Sequence, residues 1–136
     1  MMGFTPFIHF QGTCAAAMTF YHDVFGGTLT LHRFSDMPGG PPEFAGSDLV
    51  MNAQLTCPTG DLMGSDFPPG QAGKPQQAIT IAHTAADLAG AQRVFDQLAQ
   101  DGIAKMPFAQ TFWSPGFGMV TDRFGTNWTV SVPDPG

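Results

Sequence analysis

The chain opens on a short apolar run, TPFIHFQG, dense in aromatic residues and closed by a glycine, which is the pattern of a strand over residues 5–11. The period then changes. Thr13 stands where an N-cap is needed, and Met18, Tyr21, Val24 and Phe25 recur at helical spacing until Gly26 and Gly27 end the element. Three strand-like runs follow, TLTLHRF, LVMNAQLTC and DLMGSD, separated by the Pro/Gly-rich SDMPGGPPEFAGS and by the turn PTG. After FPPGQAGKPQ, which suits an exposed connection, the pattern starts again. QAITIAH alternates as a strand, and Thr84 with Asp87 resembles a capping box. Leu88, Ala91, Phe95 and Leu98 mark one helical face that ends near Gly102, and IAKMPFAQ, FGMVTD and TNWTVSV read as three closing strands.

The order is therefore βαβββ twice, which predicts an α+β fold of one domain spanning residues 1–136: module one over 4–66, a linker over 67–76 and module two over 77–133. A four-stranded sheet curls under its own twist, so two such modules are expected to form a curved open sheet cup with the helices on its convex side. The recessed face of such a sheet is the expected place for a small ligand.

Composition narrows the partners. Hydrophobic residues make up 43% and charged residues 12% of the 136 positions, with a net charge of -6. The five Lys and Arg are scattered singly, and phosphate contacts need them clustered, so no nucleic acid partner is expected. No run reaches the ~20 apolar residues that cross a bilayer, so no membrane partner is expected and the cytoplasm is the expected location. Cys14 and Cys57 fit no disulfide framework or zinc motif and are expected as free thiols.

Three segments carry a resemblance. PFIHFQGTCAAAMTFYHDVFGG, GDLMGSD and QTFWSPGFGMVTDRFGTNW resemble the opening strand and helix, the fourth strand and the closing segment of the vicinal oxygen chelate superfamily. This is the superfamily of glyoxalase I, bleomycin resistance proteins and extradiol dioxygenases, and the chain is most similar to its PhnB-like branch. The resemblance implies the two-module fold and a homodimer. It leaves open whether the chain is an enzyme, since members isomerise, cleave rings, transfer thiols or sequester drugs. It also implies that DRFG is the turn between the last two strands, with Asp122 and Gly125 supplying turn chemistry. Trp128 is expected packed beneath the helix or across the dimer contact, and Trp113 on the cup wall.

Metalloenzymes of this superfamily hold a divalent ion with four side chains. Matched by strand pattern, those positions fall on Pro6, Met63 or Gly64, Gln77 and Thr129, or one residue along on Phe7, Ser65, Ala78 or Trp128. None is a good ligand, so neither a metal nor another cofactor is expected. A methyltransferase activity, which one name in the branch invokes, lacks the Gly-rich strand-to-helix turn that a nucleoside cofactor needs. His9 alternates with Ile8 and Phe10 and is read as a core histidine on the helix side; His83, at a strand end, is read as solvent-facing. Asp66 is read as a rim residue, base or turn, and Cys14 as a thiol whose pKa a helix N-terminus would lower. In LVMNAQLTC, Met51, Ala53 and Leu55 point one way and Asn52, Gln54 and Thr56 the other. The expected ligand-binding residues are Phe10, His32, Asn52, Gln54, Met63, Asp66, Gln77 and Trp113. Three functions follow: a protein binding a small, partly apolar molecule in a metal-poor cup; a metal-dependent lyase or isomerase with shifted ligands from His9, His32, Glu43, Asp66 or His83; or a non-catalytic interaction scaffold.

Overall fold

A computed structural model describes residues 3–134 of the chain. The elements run β1 (Phe7–Phe10), α1 (Cys14–Phe25), β2 (Thr28–Arg33), β3 (Val50–Cys57) and β4 (Gly60–Asp66), then β5 (Thr80–Thr84), α2 (Leu88–Ala99), β6 (Ile103–Ala109), β7 (Phe117–Thr121) and β8 (Asn127–Ser131). They fall into two units, unit 1 up to Pro75 and unit 2 from Gln76. Each unit holds one four-stranded sheet, in the order β1-β4-β3-β2 and β5-β8-β7-β6. In both, the first and last strands pair in parallel and the rest antiparallel, so each unit is a βαβββ module as the periodicity predicts.

Each sheet packs one face on its helix. In unit 1 that face carries Ile8, Phe10, Ala53, Leu55 and Leu62, all buried along with Met18 and Tyr21 of α1. Gly64 lies directly beneath the helix: a Cβ there would come within 3.0 Å of Met18 Sδ and 3.2 Å of Cys14 Sγ. In unit 2 the same face carries Val120, Trp128 and Val130 against Ala91, Val94, Phe95 and Leu98 of α2. Gly118 takes the place of Gly64, since a Cβ on it would lie 2.6 Å from the Phe95 ring.

Several expectations change in detail. Thr13 is the N-cap of α1 but makes no side-chain cap bond. The amide of Cys14 is instead held by Asp66, which reaches across from the end of β4. Asp87, not Thr84, caps α2: its carboxylate accepts the Gly90 N–H at 2.7 Å, while Thr84 is the last residue of β5. That strand begins at Thr80, because the residues before it are held as coil by Asn127, whose amide donates to the carbonyls of Gln77 and Ile79. Gln77 is therefore not a strand residue. The start of the 67–76 connection is tied back to unit 1 by Gln11, which donates to the Gln71 carbonyl and accepts from Gly73 N–H.

The last hairpin answers to its turn chemistry. Asp122 is buried and accepts from the Phe124 and Thr126 amides and from Trp128 Nε1, at 2.8, 3.1 and 2.9 Å. Gly125 takes φ +88°, the left-handed conformation the turn requires. Trp128 is thus a core residue with its indole N–H satisfied.

Candidate functional site

Strand register places the remaining side chains on the face of each sheet turned away from its helix. In unit 1 two cross-strand rows can be followed. One pairs Thr30 with Gln54, Gln54 with Met63 and Met63 with Phe7; the next pairs His32 with Asn52 and Ser65 with His9. His32, Asn52, Gln54 and Met63, four of the expected ligand residues, therefore share one open face. The alternation read in β3 holds for Asn52, Gln54 and Thr56, whereas a bulge near Arg33 makes Val50, rather than Met51, the fully buried residue at its start.

Two expected residues lie on the opposite face. Phe10 is buried with Ile8, because the apolar pair of β1 is the one that covers the core. His9 accordingly faces outward, so the phase read from the sequence is reversed. Asp66 is 2% exposed, and its two oxygens accept the amides of Cys14 and Val50 at 2.9 and 2.8 Å. It clasps a helix start and a strand start beneath the sheet and is not a rim residue. That clasp also governs Cys14. Burial first, and the Asp66 carboxylate second, push its thiol up to about 12, the reverse of a helix-activated nucleophile.

His9 is the residue most clearly built into the open face. Its ring stacks on Phe7 at 4.9 Å between centroids and on Phe67 at 5.8 Å, and Nδ1 lies 3.2 Å from Ser65 Oγ. Phe67 is in turn confined by Gly73, where any Cβ would meet its ring at 2.2 Å. His9 is expected only among the shifted metal ligands, and Phe67 in neither set. The signal for His9 lay in strand parity, since Ile8 and Phe10 together outweigh Phe7 and His9 in apolar character.

The open face of unit 2 differs. It carries Thr80, Ala82, Thr129, Met119 and Phe117, and its one amide, Asn127, is already engaged by two carbonyls. Trp113 stands on the loop before β7, 46% exposed and edge-on to Phe112 and Phe117. Thr111 Oγ1 accepts from the Trp113 and Ser114 amides and shapes that loop. His83, read as solvent-facing, sits in β5 on the helix side beside Val130; burial lowers its pKa first and Arg93 second.

The residues do not suit the divalent ion of the superfamily's metalloenzymes. Open-face pairs on the first and last strands are Phe7–Met63 and His9–Ser65 in unit 1, and Thr80–Asn127 and Ala82–Thr129 in unit 2. This set offers one imidazole and no carboxylate, whereas a tightly held ion needs several imidazole or anionic donors. The shifted set does not converge within unit 1 either: His9 and His32 face outward, Asp66 inward, and Glu43 lies in the Pro42–Phe44 turn. Among the described residues, no three His, Cys, Asp or Glu side chains form a metal-holding group.

Comparison with known proteins agrees with this architecture. The protein YjdN of Escherichia coli K12 is 30% identical over 142 aligned positions, covering 96% of this chain and 95% of YjdN. The crystal structure of PA1353 from Pseudomonas aeruginosa matches with a TM-score of 0.88 at 34% identity, over 98% of both chains. A PhnB protein from Bacillus cereus matches with a TM-score of 0.77 at 24% identity, over 96% of this chain and 99% of its own, a likeness of fold. The family model of the glyoxalase/bleomycin resistance protein/dioxygenase superfamily matches residues 6–130. With that match spanning nearly all of both βαβββ units, the chain belongs to the glyoxalase/bleomycin resistance protein/dioxygenase superfamily.

Proposed function

We propose that the protein binds a small, partly apolar molecule on the open face of unit 1, with His32, Asn52, Gln54 and Met63 as contacts. One observation carries this reading. The side chains of His32, Asn52 and Gln54 share a sheet face with Met63 and the Phe7 ring, and none has a hydrogen-bond partner among the described residues. A rigid apolar surface with a few convergent polar groups is the usual build of a ligand site. Phe10, Asp66 and the Gln77 side chain are no longer part of it.

Replacing Asn52 and Gln54 together by Ala should weaken binding roughly tenfold, at about 1 kcal/mol or less per hydrogen bond. Native mass spectrometry of the freshly purified protein, with and without the substitutions, measures this, and unchanged retention of the copurified molecule would contradict it. Separately, the exposed Trp113 is proposed as an aromatic anchor for apolar ligands on unit 2 by itself; Trp113→Ala should weaken their binding there by about 1–3 kcal/mol.

The metal-dependent reading is placed second because its unit 1 donors point to opposite faces of the sheet. Elemental analysis after dialysis without chelator should find no stoichiometric divalent metal. About one metal per chain, lost when His32 and Asp66 are replaced, would restore it. A homodimer is proposed on the exposed apolar side chains of Phe4, Ile79 and Phe112, and light scattering near the 14.4 kDa monomer mass would contradict it. A cytoplasmic location is proposed on the two unpaired thiols; among the described residues, no helix is long and apolar enough to cross a membrane.

A further inference from the structure

Ser65 is buried, so its single hydroxyl hydrogen needs an acceptor within the protein. Two lie within reach: the Asp66 carbonyl oxygen at 3.3 Å and His9 Nδ1 at 3.2 Å. A carbonyl can only accept. If the hydroxyl donated to Nδ1, the contact with the carbonyl would hold no hydrogen. If it donates to the carbonyl, its lone pairs accept Nδ1–H from His9 and both contacts are hydrogen bonds. The second arrangement satisfies every group, and a hydrogen bond at one imidazole nitrogen decides which of the two carries the proton.

We infer that His9 is held as the Nδ1–H tautomer and presents Nε2 from the open face as a hydrogen-bond acceptor for a ligand's O–H or N–H. The neighbouring rings reinforce the role. Phe7 and Phe67 both stack on the imidazole, and the stack fixes the direction in which Nε2 points. This rests on the reading of the unit 1 face as a ligand site, and it narrows the ligand to molecules that carry a donor, such as phenols, enols, alcohols and amides, beside an apolar part that lies on Phe7 and Met63. A cationic ligand finds no carboxylate in the row of Asn52, Ser65 and His9, and an anionic one finds no Lys or Arg there.

The test is long-range proton–nitrogen NMR on the full chain with nitrogen-15-labelled histidine, in mildly basic buffer. His9 should show a protonated Nδ1 and a bare Nε2. Ser65→Ala should move it toward the Nε2–H form that a free histidine side chain favours. Phenol and anisole then serve as probes, equal in ring and differing in the O–H. Phenol should shift the His9 Nε2 resonance and bind about fivefold more tightly than anisole, the worth of one neutral hydrogen bond, and both His9→Phe and Ser65→Ala should abolish the preference. A protonated Nε2 in the wild-type protein overturns the inference while leaving the ligand face itself standing. Equal binding of the two probes overturns the donor requirement. A bare Nε2 with no response to either probe overturns the acceptor role and, with it, the reading of this face as a ligand site.

Discussion

The two units share strand order, pairing sense and a glycine beneath the helix, yet they use their polar groups in opposite ways. Unit 1 sends its buried carboxylate, Asp66, under the sheet to clasp α1 and β3, and leaves His32, Asn52 and Gln54 facing outward. Unit 2 caps α2 from the residue just before it, Asp87, commits Asp122 to a turn and to Trp128, and ties down its open-face amide, Asn127. One topology thus carries two surfaces: one on which the His32, Asn52 and Gln54 side chains have no hydrogen-bond partner among the described residues, and one whose amide, Asn127, is occupied in building the fold. A repeated fold constrains where side chains point far more than what they do there.

The largest expected effects break the two carboxylate clasps. Asp122→Ala removes the acceptor of three hydrogen bonds and should cost about 3–5 kcal/mol; Asp66→Ala removes two and should cost about 2–4 kcal/mol. Urea unfolding gives both values, and hydrogen exchange should place the loss at the start of α1 only in Asp66→Ala. A loss below about 1 kcal/mol in either would mean that water replaces the carboxylate without cost.

The glycines beneath the helices come next. Gly118→Ala drives a methyl to 2.6 Å from the Phe95 ring and 3.1 Å from backbone at Phe108, whereas Gly64→Ala meets mainly the end of the flexible Met18 side chain at 3.0 Å. Both should destabilise, Gly118→Ala by about 2–3 kcal/mol and Gly64→Ala by about 1 kcal/mol. The reverse order in denaturant unfolding would show that α1 is the more tightly seated helix.

Acid should weaken the fold through His83. Its folded pKa lies below the ordinary 6.5 because burial, and then Arg93, disfavour the imidazolium. The unfolded chain therefore takes up a proton first, so this contribution to stability is fully present above 6.5 and is lost as pH falls from 6.5 toward the lowered folded value. The slope cannot exceed about 1.4 kcal/mol per pH unit, the limit for one proton. Unfolding free energies of wild type and His83→Gln across that window should differ in slope, with the variant flatter.

The smallest effect concerns the thiols. Iodoacetamide at mildly basic pH should label half-buried Cys57 before Cys14, since Cys14 is fully buried and its thiol is pushed up to about 12. Mass-mapped labelling of Cys14 first would contradict the clasp around it.

The fold was legible in the sequence because its signals are local. A change of period from two to 3.6 and back, punctuated by Gly26, Gly27 and the prolines of the 67–76 segment, marks each module without knowledge of its neighbours. The Asp122–Gly125 turn was equally local. What failed depended on contacts far apart in the chain. Asp66 reads as a strand-end residue until Cys14, 52 positions away, is seen to need its carboxylate. The parity of a four-residue strand such as β1 turns on which pair covers the helix, and Phe7, Ile8, His9 and Phe10 are all bulky enough to serve. Alternation in β3 sufficed to put Asn52 and Gln54 on one sheet face. The stack of Phe7, His9 and Phe67 joins a strand to a coil 58 residues later, which no periodicity encodes.

The central claim is that the open face of unit 1, and not that of unit 2, offers its hydrogen-bonding groups to a ligand. It is tested most directly by following the side-chain amide resonances of Asn52, Gln54 and Asn127 in nitrogen-15-labelled protein during a titration with phenol. The account predicts saturable shifts at Asn52 and Gln54 and none at Asn127. Shifts confined to Asn127, or the same small drift in all three, would contradict it.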